Sequence, residues 1–310
     1  MDIVVVMDGP ETVVADSDTS FALILGAQER GHRVWHCGAG DVEFGNGAFA
    51  VARRASADEA ATTPLQLGQR ERVDLAQVDA VLIRTDPPFD DAYLHLTLLL
   101  DLVADTTLVV NSPRGLRDAN EKLYACRFPE LTPPTIVTAD ADRLLAFAQT
   151  HGAAVLKPIG GHGGRGVMAV RPDDDNAPSI IDTLTTRGRV PVVAQRFLEN
   201  VAAGDKRILL LDGDPLGAIL RIPTSADFRA NICVGGTTVA TELDDDDKRI
   251  IERLAPSLRA DGLFFVGLDV VDGQLTEVNV TSPTGIRQMA ALAGAPLHLD
   301  VIRWIEHRVG

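Results

Sequence analysis

The sequence predicts an α/β protein whose later part turns α+β, and three observations carry that prediction. Fully apolar runs near the amino terminus alternate with helix-periodic segments, the order that builds a parallel sheet with helices on its faces. Beyond Pro113 the strands shorten and are joined by glycine-rich or Asp-Gly turns, which suit antiparallel pairing. No internal repeat, low-complexity tail or proline-rich linker interrupts the chain, so its units are expected to fold against one another.

In order, residues 3–7 are apolar and bounded by Asp2 and Asp8, as a strand buried on both faces should be. Ser20 and Phe21 open an apolar-periodic helix that continues through Leu25 to Arg30 and is stopped by Gly31; residues 33–37 form the next strand. Residues 38–72 are weakly patterned and rich in alanine, glycine and charge, which predicts a variable connection. Strands at 79–85 and 107–111 flank a helical stretch at 91–104. Later strands are expected at 153–157, 190–197, 207–211, 216–221, 264–271 and 274–280. Asp212-Gly213-Asp214 and Asp272-Gly273 are hairpin turns, because aspartate and glycine tolerate the positive φ of tight turns. The acidic run Asp244-Asp245-Asp246-Asp247 precedes an apolar-periodic segment, so it reads as a helix start complementing the dipole rather than as a metal site.

At 310 residues and 45% hydrophobic content, the chain has room for two or three compact units. Its formal charge of -15 and pI near 4.8 exclude nucleic acid and anionic membrane as expected partners, since both are repelled at long range. An anionic ligand therefore needs a local basic pocket. Cys37, Cys126 and Cys233 are too far apart for a zinc knuckle or redox dithiol and read as reduced, structural thiols. The first apolar run is too short for a signal peptide and no stretch reaches the length of a membrane span, so a cytoplasmic location is expected.

Three groups of residues carry chemistry. The first is Lys157-Pro158-Ile159-Gly160-Gly161-His162-Gly163-Gly164-Arg165-Gly166, a lysine ending a strand ahead of a glycine-dense loop. Such backbone approaches phosphates closely and aims N–H donors at them, while the lysine adds a point charge. The spacing matches neither a P-loop nor a dinucleotide fingerprint, a flexible hairpin tip is the plainer alternative, and His162 is assigned no role. In the second group, Glu277 and Asn279 lie two apart and point to one face of a strand, with Asp269 on the partner strand. Three hard oxygen donors in that arrangement suit Mg²⁺ better than they suit a solvated acidic hairpin. The third is a scatter of basic residues beside strand ends and turns, namely Arg84, Lys122, Lys206, Arg207, Arg221, Arg229 and Arg287, a convergent subset of which would supply the basic pocket.

Together the order of these pieces resembles the ATP-grasp superfamily, and the motif wording is similar to the bacterial glutathione synthetase family. The strings that carry the likeness include Arg84-Thr85-Asp86-Pro87-Pro88-Phe89-Asp90, Asn120-Glu121-Lys122-Leu123, Gly204-Asp205-Lys206-Arg207 and Glu277-Val278-Asn279-Val280-Thr281-Ser282-Pro283-Thr284. The resemblance implies an ATP-grasp fold with an amino-terminal pre-ATP-grasp α/β domain at 1–120, a central lid at 121–192 and a carboxyl-terminal domain at 193–310 that holds the metal and catalytic site. It implies that Lys122, Lys157 and the loop at Gly161, Gly163 and Gly164 contact ATP phosphates, and that Gln195, Phe197 and Leu198 form the adenine hinge. It further implies Asp269, Glu277 and Asn279 as ligands of Mg²⁺, with Mn²⁺ as a substitute. Arg207 and Lys157 would be catalytic; Arg84, Arg207, Arg221, Arg229, Ser282, Pro283 and Thr284 would hold substrate. The implied reaction joins γ-glutamylcysteine to glycine with ATP as co-substrate, through an acyl phosphate, in a homo-oligomer of four chains. Two alternatives stand beside it: a ligase for a different γ-glutamyl or peptide substrate, and a non-catalytic ATP-binding regulator. Retention of both lysines, Arg207 and all three metal-ligand candidates argues against the regulator.

Overall fold

The computed structural model describes residues 1–223 and 237–310. The first sheet is built from β1 (Asp2–Val6), β2 (Arg33–Cys37), β3 (Val42–Phe44), β4 (Ala48–Ala57), β5 (Leu65–Asp74), β6 (Ala80–Ile83) and β7 (Leu108–Val110). Strands β2, β1, β6 and β7 lie side by side and parallel, with α1 (Thr19–Glu29) and α2 (Asp91–Asp101) as crossovers. Asp18 starts α1 by accepting from the Phe21 N–H at 2.8 Å. Alternate residues of β1 enter different cores: Val4 and Val6 pack on one face, Ile3 and Val5 on the other.

Residues 38–72, expected as a variable connection, carry regular structure. They form β3, β4 and most of β5, an antiparallel extension of the sheet. The alternation is real but written in alanine: Ala48, Ala50 and Ala52 are buried on β4, while β5 turns mostly charged side chains to solvent. Alanine is a poor strand former and the exposed charges hide the period, so neither propensity nor hydrophobic pattern signals the hairpin.

After α3 (Pro113–Asp118) and α4 (Glu121–Ala125) comes a separate layer. Strands β8 (Thr135–Thr138), β9 (Ala154–Pro158), β10 (Met168–Val170) and β11 (Val192–Arg196) make an antiparallel sheet in the order β10-β9-β11-β8. Helices α5 (Ala141–His151) and α6 (Ala177–Leu184) cover it, and Leu144, Phe147, Leu156, Ile181 and Val192 give this layer a core of its own.

The third sheet, β14-β13-β12-β15-β16, is antiparallel: β12 (Asp205–Leu211), β13 (Asp214–Ile222), β14 (Thr237–Ala240), β15 (Phe265–Val271) and β16 (Gln274–Asn279). Both Asp-Gly turns occur as expected. Asp272 and Gly273 have φ of 52° and 66°, the two consecutive positive values of the tight turn that matches strand twist. The acidic run starts α7 (Asp245–Ala260) with a capping box between Asp244 and Asp247. Helices α8 (Ile286–Ala293) and α9 (Leu297–Val309) close the chain. Two of the three cores are shared between the first and third sheets; Val4, Val81, Ile208 and Val266 belong to one cluster, Ile3, Leu82, Leu209 and Phe265 to the other. Asn111 clasps the two sheets, donating through Nδ2 to Phe265 O and Val280 O and accepting at Oδ1 from Phe264 N and Phe265 N, each at 2.8 Å. Among the described residues no helix is long and apolar enough to cross a membrane. Cys37 is a buried free thiol and Cys126 a half-buried one; Cys233 lies outside the described residues.

Candidate active site

A cavity of about 610 Å³ opens between the layer of β8–β11 and the sheet of β12–β16. Its floor is a row of side chains set by sheet register. Arg207 on β12 stands opposite Asp269 on β15, which stands opposite Glu277 on β16. Residues two apart on a strand share a face, so Asp205 joins Arg207 and Asn279 joins Glu277. Asp205 is also the register partner of Arg221 on β13. Gly267 leaves room for this row, since a Cβ there would lie 3.2 Å from the Pro283 Cβ and 3.3 Å from the Arg207 Cδ.

Charges on the floor are paired. Arg207 forks onto Asp269, with Nη2 donating to Oδ2 at 3.0 Å, and Arg221 Nη2 reaches Asp269 Oδ1 at 3.0 Å and Asp205 Oδ2 at 2.5 Å. All three of Arg207, Arg221 and Asp269 are buried. Burial acts to push the Asp269 carboxyl up, but two guanidiniums overcome it and hold the group well below the usual carboxylate range. Asp205 is pushed up to about 6 by burial and the Asp269 charge, against the pull of Arg221 and Arg207. Removing one member of such a network strands a buried charge, at a cost of about 3–5 kcal/mol.

The two lysines enter from the other walls. Lys122, on α4, donates from Nζ to Glu277 Oε1 at 2.9 Å and also to Gly161 O, so it ties the glycine loop to β16. Lys157, at the end of β9, donates to Gln195 Oε1 at 2.7 Å and Thr276 O at 3.4 Å. Burial lowers the Lys157 pKa, with the Glu277 charge opposing. The glycine loop between β9 and β10 brings Gly161, Gly163 and Gly164 to the cavity, and the end of β11 brings Gln195, Phe197 and Leu198. Ser282, Pro283 and Thr284 line it where the chain leaves β16.

Asp269, Glu277 and Asn279 all face this space, and their donor set fits a hard divalent cation. Asn279 spends its Nδ2 on Gly267 O at 3.2 Å, which turns its amide oxygen away from the strand pair. The two carboxylates are register neighbours, Glu277 paired with Lys122 and Asp269 with Arg207 and Arg221. No cluster of three or more His, Cys, Asp or Glu able to hold a metal is present among the described residues; the third donor here is an amide.

Several of the scattered basic residues are elsewhere. Arg84 is buried but does not line the cavity; it sits behind the wall, donating from Nε to Ser20 Oγ at 3.1 Å and from Nη2 to Pro283 O at 3.0 Å. Lys206 points to the opposite face of β12 from Arg207 and pairs with Asp244 and Asp247 at the start of α7. Arg287 pairs with Glu59. Arg229 lies outside the described residues. Conversely, Asp205, Asp86 and Glu121 line the cavity without having been singled out. The spacing of Asp205 to Arg207 was a usable signal; Glu121 and Asp86 stand in strings that carry the family resemblance but were given no role, because only tertiary packing brings them to the cavity.

A family model of the prokaryotic glutathione synthetase N-terminal domain matches residues 1–117, and one of the prokaryotic glutathione synthetase ATP-grasp domain matches residues 121–294. The chain is 44% identical to a glutathione synthetase of Thermosynechococcus vestitus, over 98% of this chain and 99% of that protein. It is equally 44% identical to one of Rhodopseudomonas palustris, over 98% and 97%. Among solved structures, the macrocyclase MdnC bound with precursor peptide MdnA superposes with a TM-score of 0.67 at 14% identity, covering 99% of this chain and 100% of that one. D-cycloserine synthetase DcsG gives 0.64 at 18% identity, covering 98% and 99%. Identities this low show a shared fold alone.

Proposed function

The chain belongs to the prokaryotic glutathione synthetase family, and from that premise we propose that it joins γ-glutamylcysteine to glycine at the expense of ATP. It is an ATP-dependent ligase that forms a carbon–nitrogen bond. The observation that carries the reading is the floor of the cavity, where Arg207, Asp269, Glu277 and Asn279 lie together and Lys122 and Lys157 enter from separate walls.

A carboxylate is a poor electrophile, so the cysteinyl carboxylate is first phosphorylated: its oxygen attacks the γ-phosphorus and the bond to the β-phosphate breaks, giving acyl phosphate and ADP. Crowded negative charge opposes that step. In this reading Lys122, Lys157 and the N–H groups of the glycine loop hold the phosphates, and Gln195, Phe197 and Leu198 hold adenine. Asp269, Glu277 and Asn279 would hold Mg²⁺, which supplies charge neutralisation at the phosphates when bound. Arg207 and Arg221 lie deep in the same floor and supply fixed positive charge for the substrate carboxylate. The glycine amine then attacks the acyl carbon and phosphate leaves. Arg84 has one buried nitrogen, Nη1, without a partner among the described residues, and it supports the substrate side through Pro283 rather than from the cavity surface. The lid of β8–β11 and its glycine loop keep water from the acyl phosphate.

Incubation with ATP, Mg²⁺, γ-glutamylcysteine and glycine is expected to yield ADP, phosphate and the tripeptide in equal amounts. Phosphate release without tripeptide, or turnover with a different carboxylate only, overturns the assignment.

A further inference from the structure

Three consecutive side chains at the start of α4 grip two walls of the cavity, the glycine loop and the end of β16. Asn120 donates from Nδ2 to Ile159 O at 3.2 Å, at the head of the glycine loop. Lys122 joins the loop to Glu277. Between them, Glu121 reaches the point where the chain leaves β16. Its Oε1 accepts from Val280 N at 3.0 Å, from Thr281 N at 3.2 Å and from Thr281 Oγ1 at 2.8 Å.

One carboxylate oxygen thus collects three donors from a two-residue bend. The carbonyl of the same Val280 is held by Asn111, so that residue is fixed through both of its backbone groups. Immediately beyond it, Ser282, Pro283 and Thr284 line the cavity. Glu121 stands in a costly place: burial and the nearby Glu277 charge both push its pKa up, and the donors of Thr281 pull it back. A first-turn acid complements its helix dipole without leaving the helix surface, so dipole stabilisation alone does not account for three contacts to another sheet.

We propose that Glu121 is a positioning residue for the carboxylate substrate. It sets the bend at Val280 and Thr281 and thereby the direction in which residues 282–284 face the cavity, without touching ATP. The inference rests on the reading above, in which that segment receives γ-glutamylcysteine.

The test compares Glu121→Ala, Glu121→Gln and Thr281→Val with the wild-type chain, measuring KM for γ-glutamylcysteine and for ATP separately, and amide hydrogen exchange of the segment 278–284. Glu121→Ala is expected to raise KM for the dipeptide about tenfold and leave that for ATP within about twofold, as loss of buried hydrogen bonds on one wall should. Its exchange at 280–281 should accelerate. Glu121→Gln keeps the acceptor oxygen and should recover most of both changes. If Glu121→Ala does not fold, Glu121→Gln and Thr281→Val carry the test, and their double variant should be no worse than the more severe single one, because they share one contact. Parallel changes in both KM values, an unchanged dipeptide KM, or unaltered exchange at 280–281 overturns the proposal. A wild-type chain that makes no tripeptide sinks the substrate assignment instead, and the exchange comparison still decides whether Glu121 holds the bend.

Discussion

At the scale of single side chains, Glu277 has two demands on it: it balances the buried Lys122 ammonium, and it faces the space where a metal would meet nucleotide phosphates. Glu277→Gln separates the two. A glutamine oxygen still accepts from Lys122, so the fold should lose only about 1–2 kcal/mol. A neutral amide is a poor ligand for a hard cation, so kcat should fall by about 10²-fold or more. Thermal melting and steady-state kinetics on one preparation check both halves, and unchanged turnover would exclude the metal role. Part of the cavity floor was legible because strand alternation alone puts Glu277 with Asn279; the same alternation puts Arg207 with Asp205, but the expected strand began at Arg207 and left Asp205 out. The sequence shows the charge of Arg84 but not its depth behind the wall, and which of the scattered basic residues converge is decided by details such as the one position along β12 that sends Lys206 to the face opposite Arg207.

At the scale of elements, chain punctuation proved the most informative. The Asp-Gly turns and the acidic start of α7 have local causes, positive φ and unsatisfied N–H groups, and both occur where expected. The β4–β5 hairpin shows no such punctuation; it joins the sheet through β4, which pairs with β2 and β3. For α7 the cap can be weighed. Asp244 Oδ1 accepts from Asp247 N at 3.0 Å, and its other oxygen takes Lys206 at 2.9 Å. Asp244→Ala should therefore destabilise the protein by about 1–2 kcal/mol in chemical denaturation, the loss of a cap, while leaving kcat within about twofold because Lys206 faces away from the cavity.

At the scale of the whole molecule, helices α1 and α9 pack together, and one carboxylate joins them. Glu306 accepts from Arg30 Nε and Nη2, both at 2.7 Å, and lies 2.6 Å from His32 Nε2. The Arg30 hydrogen bonds, with help from His32, lower its pKa from 4.5 to about 2. A depressed carboxyl stabilises the fold above its unfolded value and loses that contribution as pH falls through the folded one. The melting temperature of Glu306→Gln should thus lie below that of the wild type above about pH 5, and the gap should close as pH approaches about 2. A gap independent of pH would assign the effect to packing.

The separate core of the β8–β11 layer bears on what would have to be broken to displace it. Leu144, Phe147, Leu156, Ile181 and Val192 pack on one another and not on the two cores shared by the other sheets. That layer is tied to its neighbours by hydrogen bonds instead, from Asn120 to Ile159 O, Lys122 to Gly161 O, Lys157 to Thr276 O and Arg196 to Gln274. Separating contacts of that kind exposes little of the layer's hydrocarbon, so it would carry a small heat-capacity change compared with unfolding the layer itself.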